Sequence, residues 1–240
     1  MTTQPQEQEH LPEPERVGAV IVSAGASTRM GGIDKTLVEL AGMPLIARTV
    51  DVFERCAAVG TVVLVVSRAD LNAVVEISRQ REWKKVVHVR IGGIRRQDSV
   101  RHGVKALPEA CDWVVVHDGA RPLVSHRVIE KGLLTAQATG AATAAIPTVD
   151  TVKVVDDDGR VVETLDRRTL ASIQTPQVFR RDLLQQAHEE HEDDVTDDAS
   201  MLEQRGVSVQ VFMGERTNIK VTTPEDLVIA EALIAASQAR

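Results

Sequence analysis

Short apolar runs recur along the first 150 positions, each broken off by small or polar residues. The first, Val17-Gly18-Ala19-Val20-Ile21-Val22, shows no alternation of polar and apolar positions. That is the pattern of a strand buried on both faces. Comparable runs follow at Thr61–Val66, Val86–Ile91, Trp113–Val116 and Ala141–Ile146. Between them, residues 44–57, 69–80, 97–107 and 125–138 carry apolar positions at helical spacing. Strands alternating with helices predict right-handed crossovers and an α/β, doubly wound, mainly parallel sheet. The alternation breaks after residue 150, where Thr151–Val155 and Arg160–Thr164 flank Asp156-Asp157-Asp158-Gly159 and read as a hairpin. Two strands alone are marginal in water, so this protruding arm is expected to pack on something, a second copy of the chain being one candidate. Helical stretches near 180–190 and 197–205, a strand near Val207–Phe212 and a helix from about Pro224 close the pattern.

Composition narrows the function classes. The 240 residues suit one α/β unit, expected over 17–235 with residues 149–168 as the arm, between a disordered tail at 1–16 and a short one at 236–240. Three Phe, two Trp and no Tyr leave no stacking surface for single-stranded nucleic acid. A net charge of −7 argues against general polyanion binding, so an anionic substrate needs positive charge concentrated locally. Cys56 and Cys111 belong to no metal-spaced cluster and read as reduced thiols. The first sixteen residues lack a signal-peptide core, and no apolar run is long enough to cross a bilayer. The expectation is a soluble, cytoplasmic protein with no nucleic-acid or membrane partner.

Three segments where a strand meets a helix carry candidate chemistry. Ser23-Ala24-Gly25-Ala26-Ser27-Thr28-Arg29-Met30-Gly31-Gly32, with Lys35 soon after, is a small-residue loop that lets backbone approach a ligand. It matches neither the dinucleotide fingerprint nor the P-loop. Taken alone, it is equally an ordinary Gly-rich turn with two solvated cations. Gly92-Gly93-Ile94-Arg95-Arg96-Gln97-Asp98-Ser99 opens a helix whose N-terminus suits an anion, yet alone it reads better as a solvated basic turn. In Val116-His117-Asp118-Gly119-Ala120-Arg121-Pro122, the Asp can meet a ribose hydroxyl or a metal-bound phosphate, or can be a capping residue paired with Arg121.

The three segments fall on one edge of one sheet, and their order is informative. S-A-G-x-x-x-R-M…K, G-G-x-x-R-x-x-S, H-D-G-A-R-P, D-T-V-K, Q-T-P-Q-V-F, T-D-D-A-S and N-I-K-V-T-x-P-E-D together resemble the 2-C-methyl-D-erythritol 4-phosphate cytidylyltransferases over nearly all of 17–232. The resemblance implies a Rossmann-like nucleotidyltransferase that is Mg²⁺-dependent and transfers CMP from CTP to methylerythritol phosphate in isoprenoid biosynthesis. Ala24, Gly25, Ala26 and Ser27 would line the cytidine and phosphate site, with Gly93 and Ser99 selecting cytosine and Arg96 beside them. Arg29 and Lys35 would stabilise charge on the triphosphate. Asp118 and Gly119 would meet the ribose and the Mg²⁺-bound phosphates, with Asp118 the one metal contact and Arg121 nearby. Thr151, Arg167 and Lys220 would hold the acceptor, Thr175 would lie at the substrate, and the arm would cross to the partner of a homodimer. Ile94 stands where some relatives are acidic, which leaves cytosine selection to backbone groups there.

Other signals carry less. His188 to Asp194 reads as a solvated acidic helix end because no third metal ligand accompanies the histidines. Ser125, His126 and Ser172 lack the G-x-S-x-G elbow of a hydrolase. Competing readings are ribitol-5-phosphate cytidylyltransferase, a nucleotidyltransferase using another base, and a non-catalytic nucleotide sensor. The last is disfavoured by the presence of both Arg29 and Lys35.

Overall fold

The computed structural model describes residues 10–25, 36–191 and 193–238. Its elements run β1 (Val17–Ser23), β2 (Glu39–Leu40), β3 (Met43–Pro44), α1 (Leu45–Arg55), β4 (Thr61–Val66), α2 (Leu71–Gln80) and β5 (Val86–Ile91). There follow α3 (Arg96–Ala106), β6 (Trp113–Asp118), α4 (His126–Ala136), β7 (Ala141–Pro147), β8 (Lys153–Val155) and β9 (Val161–Thr164). The chain closes with β10 (Ala171–Arg180), α5 (Arg181–Glu190), α6 (Asp198–Gln204), β11 (Gln210–Met213) and α7 (Pro224–Gln238). Seven strands form one sheet in the order β11-β7-β10-β6-β1-β4-β5. All neighbours are parallel except β10, which runs antiparallel between β6 and β7. The α/β, mainly parallel expectation is met.

Helices cover both faces, which is why the strands read as unbroken apolar runs. Along β1, Val17, Ala19 and Ile21 point into a core shared with α1, α2 and α4, while Val20 points into a second core with α3, α5 and α6. Strand β4 divides likewise: Val62, Leu64 and Val66 on one side, Val63 and Val65 on the other. All are fully buried, and each Val, Leu or Ile contributes about 1.5–3 kcal/mol relative to exposure. A third, smaller cluster packs Ala230 and Ile234 of α7 against Leu40, Leu45 and Val221. Cys56 and Cys111 are free and buried.

The structure departs from the sequence expectation in three places. Strand β10 is absent from the sequence reading although it is central. A disordered tail is expected through residue 16, but from His10 the chain lies on the domain, with Arg16 paired to Asp112 and Gln137 donating to the His10 carbonyl. Residues 1–9 lie outside the described residues. The tail expected from 236 is helical as far as Gln238.

The expected arm is present. Among the described residues, strands β8 and β9 pair only with each other, Lys153 opposite Thr164 and Val154 opposite Glu163, and join no other sheet. The Asp156 carboxylate accepts from the Asp158 and Arg160 amides and ties the turn. Val154, Val155, Val161 and Val162 are all exposed, so within one chain the arm buries no apolar face.

Candidate active site

The carboxyl ends of β1 and β6 and the N-terminus of α3 enclose a cavity of about 200 Å³. Of the residues expected at the nucleotide, Ala24, Gly25, Gly93, Arg96, Ser99 and Asp118 line it, together with Lys220. Thr36 also lines it and carried no sequence signal, whereas Ala120 and Thr222, which line it too, lie in the H-D-G-A-R-P and N-I-K-V-T-x-P-E-D motifs. A second cavity of about 400 Å³ adjoins, lined by Arg121 and Thr175 and by Gln174, Gln177 and Thr196, which lie in the Q-T-P-Q-V-F and T-D-D-A-S motifs. Arg96, Asp118 and Lys220 line both cavities and so form their common wall. Ala26, Ser27, Arg29 and Lys35 lie outside the described residues.

Asp118 is the electrostatic centre of that wall. Its Oδ2 accepts from Lys220 Nζ at 2.9 Å and lies 3.5 Å from Arg121 Nε, and its Oδ1 lies 3.4 Å from Arg96 Nε. Burial works against ionisation, but the three cations outweigh it and hold this carboxyl well below the usual carboxylate range. Burial also lowers the Arg121 guanidinium, against the pull of Asp118. For Arg96 burial is likewise opposed, here by Asp198 and Asp118 together, and the net direction is up. Asp198 Oδ2 takes Arg96 Nη1 at 2.6 Å. Three fixed cations around two carboxylates leave the wall net positive, which suits the meeting of two phosphate groups.

The glycine pair at the mouth is set by close approach. A side chain at Gly92 would collide with Ala24 and Ser99, and one at Gly93 with Asp98. The Gly93 amide donates to Ser99 Oγ at 3.1 Å, and Ser99 in turn donates to the Arg95 carbonyl. Ile94 beside them is fully exposed.

The family model for 2-C-methyl-D-erythritol 4-phosphate cytidylyltransferase (IspD) matches residues 17–236. The chain belongs to this family. A 2-C-methyl-D-erythritol 4-phosphate cytidylyltransferase from Dehalococcoides mccartyi is 46% identical over 220 residues, covering 92% of this chain and 96% of that one. The bifunctional enzyme IspD/IspF of Desulforudis audaxviator is 47% identical over 221 residues, 90% of this chain and 56% of its own length. Among solved structures, 4-diphosphocytidyl-2C-methyl-D-erythritol synthase of Anaerococcus prevotii superposes with a TM-score of 0.82 at 31% identity, covering 91% and 96% of the two chains.

Within this cytidylyltransferase the remaining expected residues take different places. Gly119 lines neither cavity: its amide donates to the Val22 carbonyl, and its carbonyl accepts from Thr49. A side chain there would meet Ile46 and Ser23, so the glycine sets the packing beneath the cavity. Thr175 is buried and belongs to a directed chain of hydrogen bonds. The Asp118 amide donates to Thr175 Oγ1 (3.0 Å), which lies 3.1 Å from His117 Nδ1, and His117 Nε2 lies 3.1 Å from the Arg121 carbonyl. A carbonyl only accepts, so the ring proton sits on Nε2 and Nδ1 accepts from Thr175. Two cavity-lining residues, Asp118 and Arg121, are thereby tied through one neutral imidazole. His117 is fully buried against Phe53, and burial pushes it down to about 4. Thr151 and Arg167 line neither cavity: both are exposed, and Arg167 donates to the Val149 carbonyl within the arm.

Proposed function

We propose that this chain transfers CMP from CTP to 2-C-methyl-D-erythritol 4-phosphate, giving 4-diphosphocytidyl-2-C-methyl-D-erythritol and pyrophosphate for isoprenoid precursor biosynthesis. The observation that carries this reading, beyond family membership, is the pair of cavities with Arg96, Asp118 and Lys220 in their common wall. The first takes the nucleotide and the second the acceptor, so the reacting phosphates meet at that wall. A phosphate monoester is mostly dianionic near neutral pH, its second pKa being about 6. One of its oxygens attacks the α-phosphorus of CTP, the bond to the bridging oxygen breaks, and pyrophosphate leaves. No general base is required, and His117 offers none because both its nitrogens are engaged. What remains for the protein is alignment of two anions and stabilisation of charge, the work of Lys220, Arg96 and Arg121, with Arg29 and Lys35 from the first loop.

Mg²⁺ belongs to the same reading. No cluster of three acidic, histidine or cysteine side chains suited to a metal occurs among the described residues. A single carboxylate whose Oδ1 has only a 3.4 Å neighbour fits a Mg²⁺ held chiefly by substrate phosphates. There Asp118 would be its protein contact, and the ion would neutralise the triphosphate. A cytoplasmic setting, where CTP is available, completes the proposal. Pyrophosphate release from CTP and methylerythritol phosphate is expected, with loss on chelation of divalent ions. CTP should be preferred to UTP by a wide margin, since a site built to hydrogen-bond a substrate group rejects an analogue lacking it by about 10⁴-fold. UTP or ATP turning over within tenfold of CTP would overturn the pocket assignment.

The arm supports a two-fold homodimer with composite sites. It exposes five valines, Val149 among them, and carries Thr151 and Arg167 away from this chain's own cavities. Lys35→Ala and Arg167→Ala chains, each inactive alone, are to be mixed and allowed to exchange. A mixed dimer then holds one doubly defective site and one intact site. With half of all dimers mixed, about a quarter of all sites should recover activity. Exchanged chains that recover nothing would show that each site is built within one chain.

A further inference from the structure

The T-D-D-A-S segment (Thr196 to Ser200) stands in the sequence without an assigned task, and the structure places its second aspartate behind the catalytic wall. Asp198 is wholly excluded from solvent at the start of α6, a costly place for a carboxylate without a partner. Its Oδ2 receives Arg96 Nη1 at 2.6 Å. On the other side Oδ1 faces His188 Nε2 at 3.9 Å, beyond direct hydrogen-bond reach. Burial pushes His188 below its ordinary value, so the imidazole is uncharged near pH 7. Arg96 is therefore the ion partner of Asp198 among the described residues, and the same guanidinium turns its Nε toward Asp118, 3.4 Å away. Asp197 is differently employed: it caps α6 through the Ser200 amide and takes Gln177 Nε2 at 2.6 Å.

We propose that Asp198 is a positioning residue for nucleotidyl transfer, acting through Arg96. It anchors one end of the guanidinium so that a cation of fixed orientation lines both cavities and touches Asp118 by one nitrogen only. An arginine released from Asp198 has Asp118 as its nearest remaining anion and can take both oxygens in the paired geometry guanidinium and carboxylate favour. Asp118 would then be drawn away from Lys220 and Arg121. The carboxylate that organises the wall would serve one cation rather than three, while the nucleotide loop at Gly93 and Ser99 is untouched. Asp198 thus governs the reacting end of the site and leaves base recognition alone.

The inference rests on the cytidylyltransferase reading, and wild-type pyrophosphate release checks that reading first. The variants are Asp198→Asn, Arg96→Met and the double variant, each measured for kcat, for KM with both substrates and for melting temperature. Asp198→Asn is expected to lower kcat about 10–100-fold, the usual cost of removing an outer-shell partner, with KM for CTP within threefold of wild type. In the Arg96→Met background the same change should alter kcat less than threefold, because nothing is left for Asp198 to position. It should also raise the melting temperature there, since Arg96→Met strands a buried charge and Asp198→Asn removes it. Equal kinetic costs in both backgrounds, or no cost in the wild-type background, would overturn the proposal. If Asp198→Asn alone does not fold, Arg96→Met and the double variant decide the matter. A double variant tenfold slower than Arg96→Met, or less stable than it, sinks the idea. An inactive wild type would contradict the functional reading, while the two melting temperatures would still test the buried pair.

Discussion

Lys220→Ala is expected to lower kcat by about 10²–10³-fold, the usual loss on removing one preorganised donor from a charged transition state. Lys220 lies in the wall common to both cavities, with Nζ 2.9 Å from Asp118 Oδ2. In the proposed reaction it stands between nucleotide and acceptor, where charge builds up around the five-coordinate phosphorus. Loss of stabilisation confined to that moment lowers kcat more than it raises either KM. The fold should be nearly indifferent. The Lys220 side chain is 42% exposed, and Asp118 keeps Arg96 and Arg121, so the stability change should stay below about 1 kcal/mol. Steady-state kinetics with both substrates, beside a urea titration, checks both halves. Turnover within threefold of wild type would remove Lys220 from the reaction.

The second large effect is on stability in acid. His117 has a folded-state pKa of about 4 against an ordinary value of 6.5, chiefly because burial excludes its charged form. The unfolded chain therefore binds a proton that the folded chain refuses. The resulting stability is complete above pH 6.5 and is lost as pH falls toward 4. The gap corresponds to about 3 kcal/mol in all, of which about 2 kcal/mol disappears between pH 7 and 5. Carboxylates titrate in part of this window as well, so the comparison is with His117→Gln. The stability difference between wild type and this variant, from urea unfolding at each pH, should shrink by that amount on acidification. A difference that stays constant from pH 7 to 5 would mean that His117 is not held neutral by the fold.

Much of this architecture was legible because burial on both faces writes itself into sequence as uninterrupted valine and alanine runs. Strands β1, β4, β6 and β7 announced themselves in that way, edge strand β5 showed as a valine-rich run broken by His88 and Arg90, and the Asp-Gly turn marked the arm. Strand β10 did not. Ala171 to Arg180 holds Ser172, Gln174, Thr175, Pro176 and Gln177, a composition that argues against a central strand. It is central all the same, because its polar side chains are met from other elements: Gln174 Nε2 by the Glu215 carbonyl, Thr175 by His117, Gln177 by Thr143 and Asp197. A slip in register between Ile173 and Gln177 takes up the proline. Such pairings join residues tens of positions apart, and no local pattern reveals them. The same holds for the site. The Gly93, Ser99 and Asp118 segments were visible as motifs, whereas Asp198 and His117 acquire their roles only through what the fold sets against them. Gly119, expected at the ligand, is also packed against neighbours 70 or more residues away, which no local pattern shows.

The reversed direction of β10 also bears on the order in which the molecule comes together. Its partners β6 and β7 are synthesised earlier, and the arm hangs between β7 and β10. Pairing β10 with β6 closes a loop of about sixty residues, so it belongs to the slow, long-range part of folding. Until that strand slides in, the sheet has an open seam and the arm has one free end. Once it is seated, both feet of the arm are clamped to neighbouring strands and its valines face outward at a fixed place. Subunits that associate through the arm must therefore finish folding first, and a nascent chain offers its neighbours no arm to seize.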